Sequence, residues 1–201
     1  MRHTVEGAVL AVAADSGHRF SKPVQDHITL VKGHGVDGDA HAGQYVRHRY
    51  LARRHPCLPN LRQVHLIPSE LFATVRVAGY DIERGQLGEN ITTAGLDLEK
   101  IPLGTRIELG PTAVVELTGL RTPCVLIDRS RTGLKRQVLS SAKTDLHSMR
   151  RPGRGASWRT GGSRRLRARY SVRRMSEAAS FAVALGKPKE PSLYVTVGGD
   201  F

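Results

Sequence analysis

Cysteine is scarce in this chain: Cys57 and Cys124 are the only two in 201 residues, and they lie in unlike contexts. That excludes a disulfide framework and a four-cysteine iron–sulfur site. Aromatic residues are also few, 5% of the chain with one tryptophan, which leaves no repeated base-stacking surface. Long apolar runs are missing. Residues 8–14 form one of the longest, far short of the roughly 20 residues that a membrane helix needs. No apolar stretch behind a basic segment opens the chain as a secretory signal would, so reduced thiols and a cytoplasmic location are expected, without membrane contact.

Two further absences concern cofactors and charge. No Rossmann glycine fingerprint, P-loop lysine spacing or strand–helix–strand alternation appears, which disfavours a doubly wound nucleotide fold. Acidic residues are missing from 150 to 174, where ten arginines stand. Without those ten, the net charge of +13 falls to +3 for the rest of the chain. A basic, glycine-rich block of this kind can act as a phosphate-binding arm whose affinity falls with salt.

What is present reads as one mainly β domain with a few short helices. Residues 7–13, 28–31, 62–67, 106–109 and 113–117 are short, apolar or alternating, and rich in branched side chains. Glycines and prolines punctuate them at Gly33, Gly35, Gly85, Gly88, Gly104 and Gly110-Pro111. Residues 68–76 predict a helix capped by Ser69, with Leu71, Phe72 and Val75 on one face, and residues 132–140 predict a second.

Five segments carry candidate chemistry. Thr118-Gly119-Leu120-Arg121-Thr122-Pro123-Cys124 places a thiol just past a strand and near a cation, where thiolate formation is favoured and a soft metal or an electrophile can be met. The alternative is a small hydrophobe at a strand end. His34–Gly43 packs two histidines and two aspartates among three glycines, either a divalent-metal loop or a tight turn in which the aspartates bond their own backbone. Arg62-Gln63-Val64-His65 puts a cation and an imidazole at the start of a strand. Gly85-Gln86-Leu87-Gly88-Glu89-Asn90 offers close backbone approach and the Asn90 amide, or a plain turn. Lys22 precedes Pro23 in an extended stretch.

In their order and spacing, these segments together with Leu103-Gly104 resemble MOSC domains, which are named after the C-terminal part of molybdenum cofactor sulfurases. The likeness covers about residues 5 to 140. It implies a β-barrel-like fold that binds molybdenum cofactor, a pterin carrying a dithiolene and a phosphate. It also implies that Cys124 is the metal ligand or sulfur carrier, and so the catalytic residue. Lys22, Arg62 and Arg121 would neutralise the phosphate or orient the pterin, and Asp37, Asp39 and Asn90 would hydrogen-bond pterin edges. Stand-alone proteins of this type resemble bacterial oxidoreductases that reduce N-hydroxylated small molecules with electrons from a separate flavin or iron–sulfur protein.

The likeness ends near Gln137. No final barrel strand is legible from residue 139 to 174, so residues 141–201 read as an atypical Arg/Gly-rich segment. Out-of-frame translation of GC-rich DNA would produce it and leave the barrel a strand short, with an exposed edge. A disordered basic tail that binds nucleic acid through residues 150–174 is the other reading, and with it comes the rival function of a non-catalytic binding module.

Overall fold

A computed structural model describes residues 2–47, 49–109, 113–121, 123–145, 165–171 and 194–197. The Gly110-Pro111 turn, Thr122 and most of the arginine-rich block lie outside the described residues.

The sheet is organised on β1 (Arg2–Ala13), which is longer than the expected residues 7–13. Its first half pairs with β9 (Arg165–Ser171) and its second half with β6 (Ile91–Ala94), with a register shift between Val9 and Ala11. At its end β1 also pairs with the two-residue β2 (Val24–Gln25). From β6 the order continues through β5 (His65–Pro68), β10 (Tyr194–Val197), β8 (Ala113–Arg121) and β7 (Arg106–Leu109) to β9, which returns to β1. The pairings therefore run in a ring, and the mainly β, barrel-like expectation is met. A small hairpin of β3 (Leu30–Val31) and β4 (Gly35–Val36) stands beside it.

Two apolar clusters hold these layers. Val9, Val12, Leu66, Ile91, Ile107, Leu109 and Leu117 fill the first; Ile67, Leu71, Phe72, Val75, Ile127, Leu134 and Val138 fill the second, under the helices. Adjacent Leu66 and Ile67 belong to opposite clusters because strand side chains alternate, so β5 is buried on both faces. This continuous burial suits the one parallel pairing among the described residues, β5 with β6, joined through α2 (Ser69–Val77). A single strand–helix–strand unit is thus present where the sequence shows no such alternation.

In α2, Leu71, Phe72 and Val75 are buried as predicted. Ser69 is not the cap. The extended strand runs through Pro68, so the helix opens one residue early, and the Ser69 hydroxyl donates to Glu70 at 3.3 Å. The second expected helix is α4 (Leu134–Asp145). It is preceded by α3 (Val125–Ser130), which follows Cys124 directly and was not foreseen. A further short helix, α1 (Arg49–Arg54), interrupts the loop before β5.

The largest difference from expectation is β9. It lies inside the arginine block, where no strand was legible, and is paired on both edges: Glu6, Arg167 and Glu108 stand in one cross-strand row, and Val5, Ala168 and Ile107 in the next. In Arg165-Leu166-Arg167-Ala168-Arg169-Tyr170, arginine alternates with apolar or small residues at the strand period, a signal masked by the composition around it.

Candidate functional site

The site is built on an ion pair buried between two loops. Lys22 sits in the extended turn after β1, where its N–H donates to the Gly85 carbonyl at 2.8 Å. Its ammonium donates to Asp39 Oδ2 at 2.6 Å, with side chains 4% and 0% exposed. Asp39 Oδ2 also accepts from Asn90 Nδ2 at 3.0 Å, while Oδ1 accepts from the His41 N–H at 2.9 Å. Burial opposes ionisation of Asp39, but the bonds from His41 and the charge of Lys22 outweigh it and hold the carboxyl well below the usual carboxylate range. Burial also draws the Lys22 ammonium below its ordinary value, since Asp39 offsets only part of the desolvation and Arg121 adds repulsion.

Asn90 joins this pair to the sheet. Its second amide hydrogen goes to the Ala13 carbonyl at 3.0 Å, and Oδ1 accepts the His65 N–H at 3.1 Å. Asn90 thus faces inward with both amide hydrogens used, and it ties β1, β5 and the Asp39 loop at one point.

His65, at the head of β5, extends the network to Arg121 at the end of β8. Its Nδ1 lies 3.2 Å from the Gly88 carbonyl and 3.4 Å from Arg121 Nη1. A carbonyl only accepts and a guanidinium only donates, so the two contacts require opposite states of Nδ1 and the ring satisfies one of them at a time. Burial first, then the charges of Arg121, Lys22 and His41, hold the imidazole well below its usual value, so it is neutral at neutral pH. Desolvation and then Arg121 lower Arg62 in the same way, although much of that side chain is exposed. Arg121, at the end of β8, thus repels both Lys22 and Arg62, which come from two separate loops.

Glu89 organises the loop beneath. It is fully buried, takes N–H groups from Gly85 and Leu87 and the Thr92 hydroxyl, and its carboxyl is pushed up by desolvation. Gly85 and Gly88 are required here because both have positive φ and press against the Lys22 and Phe20 carbonyls; a Cβ at Gly88 would lie 2.6 Å from the latter. The loop's backbone donors thus bind the protein's own carboxylate.

Of the residues singled out from sequence, Lys22, Asp39, Asn90, Arg62 and Arg121 come together, joined by His65. Asp37 does not: it is exposed, and its N–H bonds the Thr29 carbonyl at 2.8 Å. Among the described residues no group of three or more His, Cys, Asp or Glu could hold a metal ion, so the metal-loop reading of His34–Gly43 gives way to that of a turn holding an ion pair. Cys124 is half-buried at the N-cap of α3, and Cys57 is exposed. The sequence offers the His65 imidazole without a partner, because Gly88 and Arg121 are distant, and gives Glu89 no role, although its partners Gly85, Leu87 and Thr92 are close in sequence. A separate open cleft of about 820 Å³, lined by Leu10, Val24, Phe72, Arg76, Glu83 and Arg84 among others, contains none of the site residues.

The depressed carboxyls predict acid sensitivity. Asp15 is drawn down to about 2 by Arg19 and the Gly17 N–H, and Asp39 lies low for the reasons above. As pH falls below about 4, the unfolded chain binds protons that the fold refuses. The stability these groups contribute is therefore complete above about pH 4 and is lost between about pH 4 and pH 2. Circular dichroism melts across that range should show a steep decline, flattened in Asp15→Asn; equal slopes would refute the assignment.

Residues 36–173 match the family model of the MOSC domain. The chain belongs to the MOSC domain family. The MOSC match takes in Asp37, Asp39, Arg62, His65, Asn90, Arg121 and Cys124, begins after Lys22, and runs on through β9. The fold is shared with the YuaD protein of Bacillus subtilis, at TM-score 0.65 and 18% identity over 86% of this chain and 100% of that one. It is shared also with YiiM of Escherichia coli, at TM-score 0.51 and 15% identity over 91% and 80%. No curated protein sequence matches the chain. No helix among the described residues is long and apolar enough to cross a membrane.

Proposed function

We propose that this MOSC protein binds molybdenum cofactor and uses Cys124 as its metal ligand or as a sulfur carrier, most simply in the reduction of N-hydroxylated small molecules. The observation that carries this reading is the approach of Lys22 and Arg62 to Arg121, which itself contacts a neutral His65. Crowded cations of this kind are relieved by an anion, and a phosphate supplies several acceptors for charge-assisted bonds.

Each side chain then has a task the fold supports. Arg121 and Arg62 present guanidiniums suited to bidentate contact, and Lys22 adds a point charge held by Asp39. Asn90 and Asp39 position the loops, and exposed Asp37 is left for polar contact at the pterin edge. Cys124, three residues beyond Arg121 and half-buried, offers a soft sulfur that a ligand can reach. When bound, the cofactor would supply the two-electron chemistry, its electrons arriving from a separate flavin or iron–sulfur protein. The rival reading of residues 150–174 as a nucleic-acid-binding tail is weakened, since Arg165–Ser171 form a strand paired on both edges.

Freshly purified protein is expected to carry molybdenum and pterin, measured by elemental analysis and by pterin fluorescence after oxidation. Cys124→Ala should lose most of the metal while remaining folded. Wild-type molybdenum in that variant would remove Cys124 as the ligand, and absence of both metal and pterin from the native protein would remove the proposal.

A further inference from the structure

The low average charge outside the arginine block hides a second acid-free stretch. Residues 40–69 contain five arginines, four histidines and no acidic residue. Within it the chain leaves the site and returns. Tyr45 bridges to Pro59, the Val46 N–H donates to the Leu58 carbonyl at 2.9 Å, and Asn60 Nδ2 donates to the carbonyls of His41 and Gly43 at 2.8 and 3.0 Å. Asn60 Oδ1 then accepts the Arg62 N–H at 3.0 Å. An excursion containing α1 is thus clamped at its base between His41 and Arg62, both members of the site.

Its surface has the make-up of a protein interface. Tyr45 in the bridge and Leu61 just beyond it are 48% and 38% exposed, whereas most large apolar side chains among the described residues are covered. Arg47, Arg53 and His55 are exposed around the excursion. An accessible tyrosine in the same stretch as accessible arginines is a composition enriched at recognition surfaces, and Leu61 adds apolar area. The bridge and the Asn60 clamp fix the base of the excursion, where Tyr45 and Leu61 stand, so this part requires little ordering on association.

We propose that the excursion at residues 44–61 is the docking surface for a protein partner whose face combines carboxylates with apolar side chains, and that it seats this partner beside the site. The inference does not depend on the cofactor reading. Tyr45 and Leu61 supply apolar contact and the arginines supply charge complementarity, which governs approach and register. A nucleic acid would use the arginines but has no counterpart for Leu61.

The test uses the full chain and three probes of equal charge: a short glutamate-rich peptide bearing leucines, the same peptide with serine at the leucine positions, and a single-stranded oligonucleotide. Fluorescence anisotropy should show the leucine peptide binding about tenfold more tightly than the serine peptide, the scale for burying one or two apolar side chains. Arg47→Glu with Arg53→Glu should weaken both peptides strongly and flatten the salt dependence, while Tyr45→Ser with Leu61→Ser should bring the two peptides to equal affinity. Molybdenum content, measured in parallel, should be unchanged in all variants, which separates failure here from failure of the cofactor proposal. Equal affinity of the two peptides for the native chain, tighter binding of the oligonucleotide, or undiminished binding by the charge-reversed variant would each overturn the proposal.

Discussion

Asp39→Ala is expected to cost about 3–5 kcal/mol in chemical denaturation, because it leaves the Lys22 ammonium buried without its carboxylate. The same change deprives Asn90 Nδ2 and the His41 N–H of their acceptor. Such a loss is a large share of the 5–15 kcal/mol by which a domain is usually stable, so the variant should be marginal at ambient temperature. The informative partner is the double variant Asp39→Ala with Lys22→Met. Replacing both members of a buried pair by apolar groups is often nearly neutral, so the second change should restore much of what the first removes. If the double variant is as unstable as the sum of the singles, the pair is not coupled and the site's central contact is misassigned.

Gly85→Ala is expected to be the most damaging substitution in the loop that carries Asn90. The backbone stands at φ +84°, which costs a residue with a Cβ about 1–2 kcal/mol, and the new methyl would overlap the Lys22 carbonyl oxygen. Backbone is on both sides of this contact, so no side chain can swing away. We expect a total loss of about 2–4 kcal/mol, with lower molybdenum content as Lys22 is displaced. Gly79 supplies the control: its φ is +88°, yet a Cβ there would meet nothing within 4 Å. Gly79→Ala should therefore report backbone strain alone and be clearly milder. Equal losses at the two positions would show that close approach to Lys22 contributes nothing.

The mainly β character was legible because strands such as Arg106–Leu109 have a local period and are bounded by turn residues. β9 was not, because its alternation of arginine with Leu166, Ala168 and Tyr170 is embedded in a stretch of sequence dense in arginine and glycine. Its place is fixed by pairing with β1 and β7, which lie far away in sequence. The cap of α2 was misjudged by one residue for a related reason: Ser69 is a good N-cap by type, but β5 extends through Pro68.

By itself the sequence determined which chemical groups this protein possesses: a reachable soft sulfur at Cys124, cations at Lys22, Arg62 and Arg121, and glycines that allow loops to approach one another. It could not choose between Asp37 and Asp39, two identical side chains in one loop. The fold chose, burying Asp39 against Lys22 and Asn90, 17 and 51 residues away, and leaving Asp37 in solvent. It also turned Asn90 inward, toward Ala13 across 77 residues, and brought His65 to Arg121 across 56. These contacts follow no local period; they form when β1, β5 and β8 take their places in the sheet, and only then does Arg121 come near Lys22 and Arg62.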